Sequence, residues 1–276
     1  MNTTIQTASE TLPQDGLKVT PRRVIASEWT KFHTVRSTTW TLLIAVILTV
    51  GVGALIAATI PGQLDSMSAA DLAAFDATDT SLSGVVFAQL ALGILGVLFV
   101  SAEYSTGMIR STLTVIPRRL PMLWAKLVVF AIVTFVLTLT AALVAFLLGQ
   151  ALLSSDNLDV ALSAPGTPGK ILGAALYVTL AGMIGVAVGS LLRNTAAGIS
   201  TYVGVFMVVP LVAQALPATI GDHLIQYLPS NAGAAMFSGT DGITNVLTPL
   251  NGFLVLAAFT AVLVGTAAWR LKTRDA

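Results

Sequence analysis

When the apolar runs of this 276-residue chain are read as six membrane-spanning helices, thirteen of its fourteen lysines and arginines fall on one side. That asymmetry constrains class, topology and orientation together, because basic residues concentrate in cytoplasmic loops. Composition agrees. The chain is 55% hydrophobic and 10% charged, whereas soluble domains run at roughly 45–50% and about 25%. So few charges cannot cover a soluble surface. The apolar residues instead form runs of about 20, the length that crosses a hydrocarbon core of about 30 Å. The fold class predicted is an all-α integral membrane protein: six transmembrane helices, an N-terminal interfacial helix, and both termini cytoplasmic.

The spans are predicted at Trp40–Ile60, Gly84–Ala102, Met122–Leu148, Ile171–Leu192, Ala197–Leu216 and Gly252–Trp269. No Asp, Glu or Arg falls inside them, and Lys126 sits one turn into the third, where it is expected to snorkel outward. The loops alternate. Lys18, Arg22, Arg23, Lys31 and Arg36 precede span 1; Asp65, Asp71, Asp76 and Asp79 follow it. Arg110, Arg118, Arg119 and Lys126 flank the junction of spans 2 and 3, and Arg193 lies between spans 4 and 5. Asp156 and Asp159 lie in the loop after span 3, Asp222 and Asp241 after span 5, and Arg270, Lys272 and Arg274 end the chain. Lys170 alone breaks the rule. Trp29, Trp40, Trp124 and Trp269 fall at the same predicted interface, as an aromatic belt does. The domain reading is a polar tail (1–19), an amphipathic interfacial helix (20–37) and one six-span domain (38–276). The polar first twenty residues hold no signal-peptide core.

Three segments outside the spans carry most of the information. Thr20 can cap a helix and Pro21 suits its first position. Ile25, Trp29 and Phe32 then form an apolar stripe, and Arg22, Arg23, Lys31 and Arg36 outweigh Glu28, the composition of a helix in the headgroup layer. In a helical segment 103–117, Glu103, Gly107 and Arg110 share one face, while Tyr104, Met108 and Val115 pack on another and Pro117 limits the helix. Gly107 between two charges leaves room for another backbone or side chain. The external segment 217–249, with Pro217, His223, Tyr227, Pro229, Ser230 and Asn231, is too apolar for a free loop and too broken for a span. Short re-entrant or interfacial helices fit it.

Several chemistries are disfavoured. The chain has no cysteine, so no disulfide and no thiolate site. Gly169-Lys170 is the nearest approach to a phosphate-binding loop, but Ala164 stands where its first glycine belongs and Ile171 follows the lysine. The two histidines, His33 and His223, fall on opposite sides and cannot share a metal. A net charge of +1 gives no reason to expect nucleic-acid binding. Spans without midplane carboxylates argue against a proton-coupled carrier, though sodium coupling through carbonyls stays open. Gly185 and Gly189 form a small-xxx-small pair suited to close helix packing, and Pro210 is expected to kink span 5.

Glu103, Gly107, Leu113, Pro117, Arg118 and Lys126 together resemble the junction of spans 2 and 3 in permease subunits of type 2 ABC exporters. Met108 departs from the usual Thr. The resemblance extends to the N-terminal helix, the Gly189–Ala196 turn and Tyr227-Leu228-Pro229-Ser230. It implies a non-catalytic permease of the plasma membrane that pairs with a second permease copy or a related chain. Two cytoplasmic ABC ATPase subunits would bind below and hold the ATP and Mg; this chain would bind no cofactor itself. The resemblance makes 103–117 the coupling helix, with Glu103, Tyr104, Gly107, Met108, Arg110 and Leu113 at the ATPase interface. It makes Arg22, Arg23, Trp29, Lys31, Arg36, Arg118, Arg119 and Lys126 anchors at the cytoplasmic face of the lipid bilayer. His223, Tyr227, Pro229 and Asn231 become part of an external gate. An apolar or amphipathic cargo, such as a drug, lipid or peptide, suits the uncharged spans. The alternatives are an ion-coupled carrier or structural membrane subunit, or a membrane enzyme using His223 with Asp222 or Ser230.

Overall fold

The computed structural model describes residues 20–105, 119–217, 221, 224–238 and 247–273. Among these, every regular element is helical. The α-helices are α1 (Pro21–Thr34), α2 (Arg36–Thr59), α3 (Ala69–Ala73), α4 (Ala77–Leu82), α5 (Val85–Ser105) and α6 (Arg119–Leu153). They continue with α7 (Thr167–Leu192), α8 (Thr195–Val203), α9 (Val209–Ala213), α10 (Pro229–Ala234) and α11 (Pro249–Thr273). Six helical stretches are long and apolar enough to cross a membrane: α2, α4–α5, α6, α7, α8–α9 and α11. The chain is thus a six-span, all-α membrane protein.

Local chemistry sets the helix ends. The Thr20 hydroxyl accepts from Arg23 N, and Pro21 opens α1, as the sequence predicts. Asp76 caps α4, accepting from Thr78 N at 2.8 Å and Asp79 N at 3.0 Å. Asn194 caps α8 by accepting from Ala197 N at 2.9 Å. Arg193, the residue between α7 and α8, takes a left-handed conformation (φ 53°) that turns the chain back on itself.

The spans are unequally buried. α7 is the axis of the bundle, with 78% of its apolar window buried, against 22% for α2 and 28% for α11. Small residues let it occupy that position. A Cβ on Gly185 would fall on the Gly93 carbonyl, one on Gly96 on the Gly182 carbonyl, and one on Gly189 would lie 2.7 Å from Val97 O. α5 and α7 therefore cross with their backbones in contact, and the predicted Gly185/Gly189 pair does pack a helix. The exposed faces of α2, α6 and α11 carry Leu43, Ile47, Ile132, Val136, Leu254 and Val262, suited to lipid or to another apolar surface.

Two features fall inside the spans. Pro210 has no N–H to continue the ladder, and its strain is taken up by a π-helical turn over Gly204–Val208 before α9. Deep in the bundle, Gln89 of α5 accepts the Tyr177 hydroxyl proton at its side-chain oxygen, while its carbonyl accepts from Tyr202 OH at 3.1 Å. Buried polar groups need such partners in an apolar medium. The segment after α9 contributes the short helix α10, where Gly233 sits under the Tyr177 ring and Tyr177 stacks on Phe237 at 5.7 Å. Tyr227 is half-exposed just before it, Pro229 is its first residue, and Asn231 accepts from Ser230 Oγ at 3.0 Å. His223, assigned to the same gate, lies outside the described residues.

At the end of the bundle opposite α1, Lys170 donates to Asp76 and, at 2.9 Å, to Asp79. The one lysine that breaks the charge rule is thus matched by two carboxylates. Burial pushes the Asp76 carboxyl up, but Lys170 and the Asp79 and Thr78 amides outweigh it and hold it below its ordinary value.

Candidate functional site

The site forms where α1 meets the end of α5 and the start of α6. α1 does not bury the Ile25–Trp29–Phe32 stripe as a unit. Its inner face is Val24, Glu28 and Phe32, at helical spacing of four, while Ile25 and Trp29 point outward with 38% and 52% exposure. Glu28 therefore enters the protein on the same face as Phe32.

Lys126 is the centre of what it meets. Its Nζ donates to Glu28 Oε2 at 2.7 Å and to Glu103 Oε1 at 2.8 Å. Lys31 Nζ completes the ring, donating to Glu28 Oε1 at 2.9 Å and to Glu103 Oε1 at 3.1 Å. Lys126 is 1% exposed, so its ammonium turns inward, correcting the expectation that it snorkels to the headgroups. The reason is local: two carboxylates lie within reach, and pairing with them removes the need to seek water.

An aromatic wall encloses the charges. Lys126 Nζ stands 4.5 Å from the centre of the Phe99 ring, an arrangement that favours the cation electrostatically. Phe32 meets Phe99 edge-on at 5.0 Å and Phe130 at 6.1 Å. Two lysines and two glutamates make the cluster neutral as a whole. Burial lowers the proton affinity of Lys31, but the Glu28 and Glu103 carboxylates outweigh it and raise its pKa above the usual lysine value. Glu103 Oε2 is buried and accepts no hydrogen bond from the described residues.

Other contacts gather at this end. Ser101 and Thr195 share a hydrogen bond at 2.9 Å, tying α5 to the start of α8. Arg193 lies over the Tyr104 ring at 5.3 Å. Arg270 of α11 donates to Leu191 O at 2.6 Å. All four tryptophans are more than half exposed.

The sequence-predicted residues divide accordingly. Glu103, Lys31 and Lys126 are brought together, and Tyr104 lies beside them. Arg22, Arg23 and Arg36 are exposed on α1 and at the start of α2. Gly107, Met108, Arg110, Leu113 and Arg118 lie outside the described residues, as does the Arg119 side chain. Glu28 was missed as a site residue. Its signal was present: it shares a face with Phe32, and the chain has only two other glutamates, Glu10 and Glu103.

Both lysines and both glutamates of the cluster are engaged in ion pairs. What it can do is mechanical: it fixes α1 to the end of α5 and the start of α6 through charge pairs that cannot be separated cheaply. No protein-family model and no curated protein matches this chain. The class that fold and site define is therefore a six-span membrane protein with a buried charge clamp at the junction of its N-terminal helix and its second and third spans.

Proposed function

We propose that the chain is the permease subunit of an ATP-driven exporter, with its termini in the cytoplasm, working as a dimer with two separate ATPase subunits. The observation that carries this reading is the clamp. Glu103 stands just before residues 106–118 and Lys126 just after them, and the two are paired through one ammonium. Glu28 adds α1 to the same unit. A push on the intervening segment is then transmitted to α1, α5 and α6 together instead of being absorbed in a slack loop. An ATPase subunit seated against residues 103–117 would deliver that push as its nucleotide sites close. The pathway would run along the apolar faces of paired permeases, suiting an apolar or amphipathic cargo.

The test is coupling. With the ATPase partner reconstituted in vesicles, Arg110→Glu should abolish cargo-stimulated ATP hydrolysis while the permease still inserts and pairs. Undiminished stimulation by the variant would remove 103–117 as the coupling segment.

A further inference from the structure

A cavity of about 360 Å³ opens between α1, α2 and α5, beside the charge cluster. α5 lines it with Leu95, Leu98, Phe99 and, one turn further on, Glu103, while α1 and the start of α2 contribute Lys31, Ser37 and Thr38. Three observations define what it would hold. First, Lys31 uses two of its three N–H donors on Glu28 and Glu103, and its side chain is 29% exposed. Second, α2 begins at this cavity without a side-chain cap, since Val35 occupies the N-cap position. Helix amide ends of this kind favour an anion. Third, Glu103, only 7% exposed, lines the cavity, and its buried Oε2 has no hydrogen-bond donor among the described residues.

An anion subsite and a donor-seeking carboxylate thus share one amphipathic cavity. The cluster is already neutral, so a ligand of net charge would unbalance it in a poorly screened place. A zwitterion would not. We propose that this cavity seats the headgroup of a phosphoethanolamine phospholipid, its phosphate toward Lys31 and the first α2 amides and its primary ammonium toward Glu103 Oε2. The acyl chains then lie along Leu95 and Leu98 toward the bilayer. A choline headgroup has no N–H and cannot satisfy Glu103. This inference requires only that the chain sits in a membrane, and it stands or falls separately from the exporter reading.

The test is native mass spectrometry of the full-length protein in detergent, titrated with phosphatidylethanolamine or phosphatidylcholine of identical acyl chains. A hydrogen bond to a charged group corresponds to a preference of about tenfold. The wild-type protein should retain phosphatidylethanolamine by about that factor. Leu98→Trp, which fills the apolar side without touching the ion pairs, should remove the preference, as should Glu103→Gln. Equal retention of the two lipids, or a preference surviving in Leu98→Trp, would overturn the proposal. Displacement by soluble glycerophosphoethanolamine at matched concentration would also overturn it, identifying a soluble ligand in place of a lipid.

Discussion

Lys126 and Glu28 stand 98 residues apart in the chain and 2.7 Å apart in space, each 1% exposed. Removing one partner of such a pair leaves an uncompensated buried charge, at a cost of about 3–5 kcal/mol. Lys126→Met should lower stability by about that amount in thermal or denaturant unfolding in detergent. Glu28→Gln combined with Lys126→Met removes one of the stranded carboxylates and should recover part of the loss. Equal stability of the single and double variants would show that charge burial is not what holds α1 in place.

The α5–α7 crossing makes a sharper distinction among glycines. A Cβ on Gly185 meets the Gly93 backbone, which cannot yield without separating the helices, whereas one on Gly51 meets nothing within 4 Å. Gly185→Ala should cost about 1–3 kcal/mol through overpacking. Gly51→Ala should be neutral or stabilising by up to about 1 kcal/mol through helix propensity. Unfolding midpoints of the two variants, measured side by side, check the contrast.

At the opposite end, the depressed Asp76 pKa predicts a pH dependence. Its ionised form is favoured in the folded state, so the stability it adds is present above the ordinary Asp value of about 3.9 and is lost as pH falls through the lower folded value. Asp76→Asn keeps a capping side chain for α4 and removes the charge that Lys170 engages. The variant should be less stable than wild type at pH 7, and the difference should close as the pH drops below about 4. A difference that persists unchanged into acid would assign the effect to capping instead.

The six-helix architecture was legible in the sequence, because an uncharged apolar run of about 20 residues marks a helix long enough to span a bilayer. All six predicted spans correspond to long apolar helices. Thr20 and Pro21 located the start of α1 because capping is local chemistry. What the sequence could not reveal was azimuth. The sequence places Lys126 in the first turns of the third span, but whether it faces lipid or protein depends on Glu28, which only the packing of α1 against α6 brings near. The same ambiguity split the Ile25–Trp29–Phe32 stripe. The Gln89–Tyr177–Tyr202 network escaped notice because single uncharged polar residues leave little trace in an apolar run.

The absence of cysteine makes orientation easy to test. Single cysteines at Ser66 and at Thr273 should label from opposite sides of sealed, right-side-out vesicles, Ser66→Cys from outside and Thr273→Cys only after permeabilisation. Labelling of both from outside would contradict the orientation proposed from loop charge.

The exporter reading turns on whether an ATPase is present beneath residues 103–117. The most direct measurement is affinity purification of the tagged protein from gently solubilised native membranes, with cross-linking and mass spectrometry. A soluble partner carrying nucleotide-binding motifs, stoichiometric with the chain and lost in Arg110→Glu, is the predicted result. A chain that purifies without any ATPase, reproducibly and after cross-linking, would contradict it.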